Sequence, residues 1–517
     1  MTNTTAPPAV DGSVDTMESA AALASMRAPL DDRAILYDAS ASGREGITAA
    51  LHRAGLRIVG TPEGGAGEMP LVVCVTLIGN GALGAQPPSR GLDRALLRSA
   101  ADGMVKRGIG RMVLITDLSP GCPLTGDPDV AAMLGADLIW WQELAARVAV
   151  HGVTANTIAL GYTPAVGHLL ERSRIATLMR YQPIRRQTEV ADIADAVRML
   201  CSGGCSYLVG ETIRVDGGAA LHLTPPIEGI GSGTGTTGAL ALSSVAARPA
   251  DYRDLAGRCV LVTGASSGIG RATALHVAER GADVVLVARR QDALDDVAHA
   301  IQALGRNAWT VPCDLARTES ADQLPDLAWR AAGRIDALVY AAGHLGFAGP
   351  GDSHSRQVTF AVNLFSYMAI AEPLVTRWVE NNVAGAIATV ASVSNTSVPV
   401  ARLENYGPSK AAMTQHVRAL AVSAGRYGIR LNAVAPGIIE TTMGEAAGPS
   451  QRNGWLSRIP AGRLGQAHEV AAVVGHLISP AASHTTGASP RIDGGFGLGY
   501  IAGESTGVGT GAGSERS

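Results

Sequence analysis

The chain has 517 residues, which is too long for one ordinary hydrophobic core and fits two domains of about 200 to 250 residues each. Hydrophobic residues make up 46% of the chain, charged residues 17% and aromatic residues 4%, a composition typical of helices packed on a parallel sheet. The formal net charge of -3 and the pI near 6.5 argue against nucleic acid or an anionic membrane surface as a partner.

The ends of the chain and its cysteines indicate a cytoplasmic protein. Residues 1–30 lack the basic start and apolar core of a leader, and no later apolar run approaches the roughly 18 to 20 residues that span a bilayer. We expect residues 1–30 and the Gly/Ser-rich residues 502–517 to be disordered. The closest pair of cysteines, Cys201 and Cys205, has no second pair or histidine at zinc-ligand spacing, so we expect reduced thiols and no metal.

A segment rich in Gly, Thr, Ser and Pro, residues 224–252, is predicted to be a flexible linker between two bodies. The second body, residues 253–501, alternates β-rich runs with helical stretches, the pattern of a doubly wound parallel sheet. The first body, residues 31–223, repeats this pattern in weaker form. The predicted fold class is therefore α/β, with two tandem Rossmann-like domains.

Three short matches indicate that the two bodies are copies of one unit. IRVDGG at 213–218 matches PRIDGG at 490–495 with an offset of 277, and ANTIALG at 155–161 matches LNAVAPG at 431–437 with an offset of 276. LYDASASG at 36–43 matches LVTGASSG at 261–268 with an offset of only 225. The first copy is therefore about 51 residues shorter between its first strand and its later strands, the part that holds the adenine side of a nucleotide site.

A glycine-rich turn follows the first strand of the second body, in the run from Thr263 to Gly270. Gly264 permits a tight turn, Gly268 lets the backbone approach a pyrophosphate, and Gly270 allows close packing of the following helix. Taken alone, the turn is also compatible with a glycine-rich loop that binds nothing.

Tyr406 and Lys410 are four residues apart and are predicted to share one face of a helix. A tyrosine that titrates near pH 10 is a poor catalyst at neutral pH, but a neighbouring ammonium favours the phenolate and lowers its pKa. We therefore expect Lys410 to lower the pKa of Tyr406. A Tyr/Lys pair on its own is usually part of a solvated helix surface.

The ordered motifs TGxxxGxG, YxxxK and Pro436-Gly437 resemble those of the short-chain dehydrogenase/reductase family over about 240 residues. The resemblance implies hydride transfer between a nicotinamide and a carbonyl or alcohol carbon. It implies that Tyr406 transfers the proton, that Lys410 binds the ribose, and that Ser392 positions the substrate oxygen. Ser394 is a nearby rival for Ser392, and Asn363 matches an asparagine that holds a water for proton relay.

The resemblance also implies which residues bind the cofactor. They are Thr263, Gly264, Ser266, Ser267, Gly268, Ile269, Gly270, Arg289, Asp314, Leu315, Ala341, Ala342, Gly343, Tyr406, Lys410, Pro436, Gly437, Ile439 and Thr441. This chain has Tyr340-Ala341-Ala342-Gly343 where the family usually has Asn-Asn-Ala-Gly. We expect this departure to loosen a hydrogen bond that stabilises the strand end.

The end of the second strand of this body bears on the choice of cofactor. Ala288 stands where relatives that prefer NAD carry an acidic residue, and Arg289 and Arg290 follow it. A guanidinium pairs with a 2′-phosphate that a carboxylate would repel, so NADP(H) is favoured over NAD(H). The alternative is that both arginines are solvated residues at a helix entrance.

The first body has lost the residues of this chemistry. The 276-residue offset places Val130 and Leu134 at the positions of Tyr406 and Lys410, and it places Asp117 near that of Ser392. The first turn, Asp38 to Glu45, has lost two of three glycines and gained an acid, so we expect residues 31–223 to form a pseudo-enzyme domain.

Its helix at 135–148 carries Trp140 and Trp141, and we expect these to pack against the equivalent helix of the second body rather than in their own core. The halves would then form an intrachain pseudo-dimer, and a homodimer of chains would form a pseudo-tetramer.

The segment between Thr441 and Arg463, in the run ETTMGEAAGPSQRNGWLSRIPAGRLGQ, is similar in length and in its PAGRLG end to that of β-ketoacyl thioester reductases. We therefore expect a 3-oxoacyl or 3-hydroxyacyl thioester carried by coenzyme A or acyl carrier protein. A ring ketone or steroid alcohol is the alternative substrate. A non-catalytic scaffold that binds a nucleotide is the alternative of a different class, and the intact Ser392, Tyr406 and Lys410 argue against it.

Overall fold

A computed structural model gives the fold of the chain. It describes residues 33–38, 44–58, 72–77, 92–116, 128–164, 175, 179, 182–221, 254–346, 352–397, 403–441 and 449–499. The predicted disordered start, linker and tail lie outside the described residues, as do Asp117 and most of the turn that follows the first strand.

The first half contributes six strands and four described helices. In chain order they are β1 (Arg33–Asp38), α1 (Arg44–Arg53), β2 (Arg57–Ile58), β3 (Val72–Leu77), α2 (Arg94–Arg107), β4 (Gly110–Thr116), α3 (Pro128–Ala149), β5 (Val153–Leu160), α4 (Val190–Cys201) and β6 (Thr212–Val215).

The second half is longer and continues the numbering. Its elements are β7 (Cys259–Thr263), α5 (Gly268–Glu279), β8 (Asp283–Ala288), α6 (Gln291–Ala303), β9 (Ala308–Pro312), α7 (Thr318–Ala332), β10 (Ala337–Tyr340), α8 (Ser353–Phe360), α9 (Ser366–Glu380), β11 (Ala386–Val390), α10 (Tyr406–Ala424), β12 (Arg430–Pro436), β13 (Ile439–Glu440), α11 (Pro449–Leu456), β14 (Gly465–Gln466), α12 (Ala467–Ile478) and β15 (Arg491–Ile492).

Each half is built on its own parallel sheet. The first has the strand order β2-β1-β3-β4-β5-β6, and the second has the order β15-β12-β11-β10-β7-β8-β9. Read from β8 through β7 to β15, the second sheet repeats the order of the first, and β9 has no counterpart among the described residues of the first half. The fold is therefore α/β with two Rossmann-like sheets.

The strands are apolar because helices cover both faces of each sheet. Every residue of β4, β5, β7, β10, β11 and β12 is buried. One cluster of buried side chains runs without interruption from residues of the first half, such as Leu36 and Tyr207, to residues of the second half, such as Val260 and Ile492. The two halves consequently share a core.

The helices α8 and α9 are joined by a π-helical turn, Ala361–Phe365, into one helix of 28 residues, Ser353–Glu380. By length, and by a mean hydropathy of 1.5 over an 18-residue window, this helix could cross a membrane. Its side chains Tyr367 and Trp378 are fully buried against the second sheet, however, and Trp378 donates to the carbonyl oxygen of Ile335. We interpret it as a core helix.

The halves contact each other reciprocally through residues that occupy equivalent positions. Arg186 of the first half donates to the Ser483 hydroxyl at 3.0 Å, and Arg463 of the second half donates to the Ser206 hydroxyl at 3.3 Å. Both residues of one pair are related to those of the other by the same 277-residue offset. The contact is therefore self-complementary, like that of a twofold dimer.

Backbone hydrogen bonds follow the same rule. Gly217 N–H donates to the carbonyl oxygen of His484 at 2.8 Å, and Gly494 N–H donates to that of Tyr207 at 3.0 Å. Here too the offset is 277 residues, and the side chains at equivalent positions differ. Tyr207 faces the second half where His484 faces the first.

The predicted role of the tryptophan helix was wrong. Trp141 is fully buried in the first half's own core, among residues of α2, β4 and β5 that include Met104 and Ala155. Trp140 lies beside the guanidinium groups of Arg94 and Arg98. The halves instead meet through the ends of β6 and β15 and the segments around α4 and α12, because the apolar face of α3 is used to cover its own sheet.

Candidate active site

The glycine-rich turn lies between β7 and α5, at the carboxyl edge of the second sheet. Gly264 and Gly268 have φ angles of +67° and +52°, where a side chain would be strained. A Cβ on Gly270 would lie 2.1 Å from the carbonyl oxygen of Gly264, so only glycine lets the helix begin this close to the turn. The side chain of Ser267 makes no capping hydrogen bond, which leaves the start of α5 available to an anion.

The predicted cofactor contact Thr263 ties two strand ends together. Its buried hydroxyl oxygen accepts from Ala341 N–H at 3.1 Å and from Ala342 N–H at 3.2 Å. The preceding Tyr340 hydroxyl, at the position where the family usually has asparagine, bonds to the carbonyl oxygen of Val362 and to Ser366. The expected loosening of the strand end is therefore not what the structure shows, because Thr263 and Tyr340 hold it.

A cleft of about 440 Å³ opens along the carboxyl ends of β7, β8, β9 and β10. Thirteen of the residues predicted to bind the cofactor line it: Gly264, Ser266, Ser267, Gly268, Ile269, Gly270, Arg289, Asp314, Leu315, Ala341, Ala342, Gly343 and Thr441. Strand ends that are far apart in sequence thus form one elongated groove, in the place where the glycine turn and α5 present their N–H groups.

The remaining predicted cofactor residues lie beside this cleft rather than on its wall. Gly437 N–H donates to the carbonyl oxygen of Ile492, and a Cβ on Gly437 would lie 2.7 Å from that of Asp493. Pro436 ends β12, and Ile439 is a buried residue of β13, which pairs with β14. These residues position the chain that reaches the cleft at Thr441.

Tyr406 begins α10, and Lys410 lies one turn later with its ammonium 5.8 Å from the centre of the tyrosine ring. Lys410 is buried, its Nζ donates to the carbonyl oxygen of Val390 at 2.8 Å, and burial lowers its pKa to about 7. A Cβ on Gly343 would lie 3.5 Å from that Nζ, so the lysine reaches the inner end of the cleft.

The predicted lowering of the Tyr406 pKa is not what the structure shows. Burial raises the pKa of Tyr406, and only a hydrogen bond with Ser392 opposes that rise. Lys410 is not among the causes of this shift, and its own desolvation disfavours the ammonium form. The phenol is therefore held in its protonated form at neutral pH.

Ser392 follows β11 and is the serine that reaches Tyr406. Its hydroxyl oxygen also accepts from Ser394 N–H at 3.1 Å. Ser394 is buried, and its carbonyl oxygen would lie 3.0 Å from a Cβ on Gly407. The structure thus brings Ser392, Tyr406 and Lys410 together and gives Ser394 a supporting position behind them.

Asn363 lies in the π-helical turn and is fully buried. Its Oδ1 accepts from His344 N–H at 2.8 Å, and its Nδ2 donates to the carbonyl oxygen of His344 at 3.0 Å and to the Ser409 hydroxyl at 2.9 Å. Both amide hydrogens are therefore used within the protein. Asn363 connects the strand end at His344 to the helix that carries Tyr406, and its water relay stays a prediction.

Several residues of the cleft were not among the predicted cofactor residues. His344 follows Gly343, bonds to the Thr359 hydroxyl at 3.3 Å, and has its pKa lowered by burial and then by Arg289. The others are Ala288, Arg290, Cys313, Ala316, Val358 and Val362. Ala288 ends a strand, Cys313 directly follows one, and Arg290, Ala316 and His344 lie within four residues after one. Position at the end of a parallel strand is the signal that could have found these five.

The comparisons with known proteins place the chain among enzymes of one type. A family model described as enoyl-(acyl carrier protein) reductase matches residues 94–220 and 264–497, parts of both halves. Glucose 1-dehydrogenase of Gluconobacter oxydans is 34% identical over 257 residues, covering 48% of this chain and 96% of the relative. The 7alpha-hydroxysteroid dehydrogenase of Escherichia coli is 34% identical over 249 residues, covering 47% of this chain and 96% of the relative.

Two further similar proteins are named together with a nicotinamide nucleotide. L-rhamnose 1-dehydrogenase (NAD(P)(+)) of Azotobacter vinelandii is 36% identical over 250 residues, covering 46% of this chain and 96% of the relative. A solved short chain dehydrogenase from Burkholderia cenocepacia in complex with NADP is 31% identical, covers 47% of this chain and 99% of its own, and has a TM-score of 0.44.

Proposed function

This chain belongs to the short-chain dehydrogenase/reductase family and is an oxidoreductase of alcohols and carbonyls, and we propose that Tyr406 is its general acid and base. The observation that carries the proposal is the junction of Ser392, Tyr406 and Lys410 at the inner end of the cleft. In reduction the protonated phenol donates to the substrate oxygen, and Ser392 orients that oxygen.

The residues of the cleft fit a nicotinamide dinucleotide. Gly268 leaves room for a pyrophosphate at the start of α5, Gly270 lets that helix begin close to the turn, and Gly343 lies between the turn and Lys410. When bound, the nicotinamide supplies or takes up the hydride. Lys410 is placed to bind the ribose at the inner end, and Thr441 closes the cleft opposite Gly268, 3.4 Å from where its Cβ would be.

We propose NADP(H) as the preferred form. Arg289 and Arg290 both line the cleft after β8, and Ala288 precedes them without a carboxylate. Among the described residues neither guanidinium is paired with an acid, so both are free to bond to a 2′-phosphate. L-rhamnose 1-dehydrogenase is named for both NAD and NADP, so this relative does not indicate a preference. The proposal therefore rests on the two arginines.

For the substrate we propose a secondary alcohol or ketone on a ring, and we place the predicted acyl thioester second. The support is that glucose, rhamnose and hydroxysteroid dehydrogenases are among the relatives. A thioester was predicted from the length of the segment that ends near Gln466, and part of that segment, residues 442–448, lies outside the described residues. The relatives therefore weigh more than the segment length.

We infer that the first half is a copy without this chemistry. Its described strands repeat the order of the second sheet, and it contacts the second half through equivalent residues. Its sequence has Val130 and Leu134 where the second half has Tyr406 and Lys410. For association between chains we propose a homodimer, in which two such pseudo-dimers would form a pseudo-tetramer.

The test follows nicotinamide absorbance with NADPH and NADH on cyclic sugars, hydroxysteroids, ring ketones and 3-oxoacyl thioesters. Tyr406→Phe should lower kcat by roughly 10²- to 10⁴-fold, the usual contribution of general acid-base catalysis. The matched control is Tyr427→Phe, which removes a hydroxyl after the same helix and should retain activity. Turnover by Tyr406→Phe at the wild-type rate would refute the proposed role of this phenol.

Two further variants test the nucleotide preference. Arg289→Ala should raise the KM for NADPH about 10-fold or more and leave that for NADH unchanged, since one charge-assisted bond is lost. The control is Arg306→Ala, which also removes an arginine near this sheet. Arg306 lies on the loop before β9 and pairs with Asp283. Equal effects of Arg289→Ala on both nucleotides would argue against a 2′-phosphate contact.

A further inference from the structure

Tyr207 belongs to the first half, but its side chain lies inside the second. It is fully buried, its hydroxyl donates to the carbonyl oxygen of Arg463 at 3.3 Å, and the Arg463 guanidinium lies 5.1 Å from the centre of its ring. Its own carbonyl oxygen accepts from Gly494 N–H at 3.0 Å. The first half thus inserts an aromatic ring into the enzyme half.

The ring is held between two glycines of the second half. A Cβ on Gly465 would lie 2.5 Å from Cε1 of Tyr207, and a Cβ on Gly494 would lie 2.4 Å from Cε2. The same position on Gly465 is 2.6 Å from Cδ1 of Ile439, so the tyrosine ring and the isoleucine side chain both pack over this glycine. Close packing of this kind fixes the position of the backbone it covers.

The backbone that Tyr207 covers leads to the cleft. Gly465 begins β14, which pairs with β13 through Ile439, and Gly465 N–H donates to the carbonyl oxygen of Ile438 at 3.0 Å. Two residues after Ile439, Thr441 reaches the cleft wall opposite Gly268. One continuous set of contacts therefore joins the first half to the residue that closes the cleft over the glycine turn.

A second set of contacts runs to the helix beside the cleft. The Glu440 carboxylate accepts from Gln466 of β14 and from Arg452 of α11, and the hydrogen bond from Gln466 lowers its pKa. Gln466 caps α12 together with Glu469, to which Ser206 of the first half donates. The neighbours of Tyr207 thus hold both β13 and α11.

We propose that Tyr207 is a positioning residue for the active site of the other half. Its ring supports the pair β13–β14 and thereby sets Thr441 against the bound dinucleotide. The proposal deepens the proposed function and rests on it for the identity of the ligand. The first half is then required for the geometry of the cleft, beyond any contribution to stability.

The chain supplies its own matched control. His484 occupies the equivalent position in the second half and faces the first half, where a Cβ on Gly217 would lie 2.7 Å from its Cε1 and its Nε2 is 3.4 Å from Nε2 of Gln182. Like Tyr207 it is buried in the interface. His484→Ala therefore removes a ring from the same interface without touching β13 or β14.

The experiment compares Tyr207→Ala, Tyr207→Phe and His484→Ala in the full chain. Hydrogen exchange of residues 439–441 and 465–466 should accelerate in Tyr207→Ala alone. Titration with NADPH should show on the order of 10-fold weaker binding in this variant, and Tyr207→Phe, which keeps the ring, should restore both readouts. Tyr207→Leu, which retains apolar volume, takes the place of the alanine variant if that chain fails to fold.

Two results would overturn the proposal. One is unchanged exchange of β13 and β14 when the Tyr207 ring is removed, and the other is an equal effect of His484→Ala, which would assign Tyr207 to stability only. Exchange needs no ligand and decides the role of Tyr207 by itself. Absence of NADPH binding by the wild-type chain would instead count against the proposed function.

Discussion

The buried carboxylate of Asp192 forms hydrogen bonds to residues of both halves. Its carboxylate, 3% exposed, accepts from Arg186 at 2.6 and 2.7 Å, from the N–H of Glu189 at the start of α4 at 2.9 Å, and from the Ser483 hydroxyl of the second half at 3.1 Å. Asp192→Ala removes all four hydrogen bonds at once. It leaves Arg186 with Ser483, one backbone oxygen and the half-exposed Glu189 carboxylate 3.9 Å away.

The expected loss of unfolding free energy depends on how well the remaining Arg186 charge is compensated. Removing one partner of a buried ion pair costs about 3 to 5 kcal/mol, because the other charge stays buried without compensation. Arg186 is 18% exposed, so water recovers part of this, and we expect about 3 kcal/mol, including about 1 kcal/mol for the helix cap. Since one core runs through both halves, the whole chain should lose this stability together.

The assay is urea unfolding followed by hydrogen exchange of β4 and β5 in the first half and of β10 and β11 in the second. All four strands should lose protection to the same extent in Asp192→Ala. Asp326→Ala, which breaks an exposed pair with Arg377, is the control and should leave both halves unchanged. If β10 and β11 kept their native protection from exchange while β4 and β5 lost theirs, the halves would unfold separately. That result would refute the prediction.

Three further predictions concern the second half. Thr263→Val leaves the N–H groups of Ala341 and Ala342 unpaired and should weaken NADPH binding about 10-fold in a titration, whereas Thr263→Ser should not; equal affinities would contradict the role of the hydroxyl. Because burial raises the pKa of Tyr406, alcohol oxidation, which needs the phenolate, should rise with pH beyond about 10, and a plateau near neutral pH would contradict this. Burial lowers the pKa of His276 and of His484 to about 3, so these two residues bind more protons in the unfolded chain between about pH 3 and 6.5, and their contribution to stability should fall as pH drops through this window. At pH 5 the loss should be about 2 kcal/mol for each histidine relative to pH 7, measured by urea unfolding, and an equal pH dependence in wild type and His484→Gln would contradict it.

The parts of the site that could be predicted from sequence are those encoded by neighbouring residues. The turn around Gly264 and Gly268 and the spacing of Tyr406 and Lys410 are local patterns, and the structure brings them to one cleft. The effect of Lys410 on Tyr406 could not be predicted, because it depends on burial by distant segments. The bonding of Asn363 depends on the backbone of His344 from another strand, which no local pattern encodes.

The arrangement of the halves was predicted only in outline. Helical periodicity identifies an apolar face of α3 but does not say which sheet covers it, and Trp141 consequently lies in its own core. The true contact was within reach of the sequence, since Arg186 and Ser206 repeat as Arg463 and Ser483 at the offset already seen in the strand matches. That repetition marks polar residues of an interface, which a search for apolar faces overlooks.

The different side chains at the equivalent positions Tyr207 and His484 have a consequence for how such a protein can evolve. In a dimer of identical chains, every substitution at the symmetry axis occurs twice, and both partners must tolerate it. Fusion of the two copies in one chain lifts that constraint, since each side of the contact is encoded separately and the partner is always present at a ratio of one to one. One copy can then specialise in supporting the other, as an aromatic ring on one side and an imidazole on the other already do here.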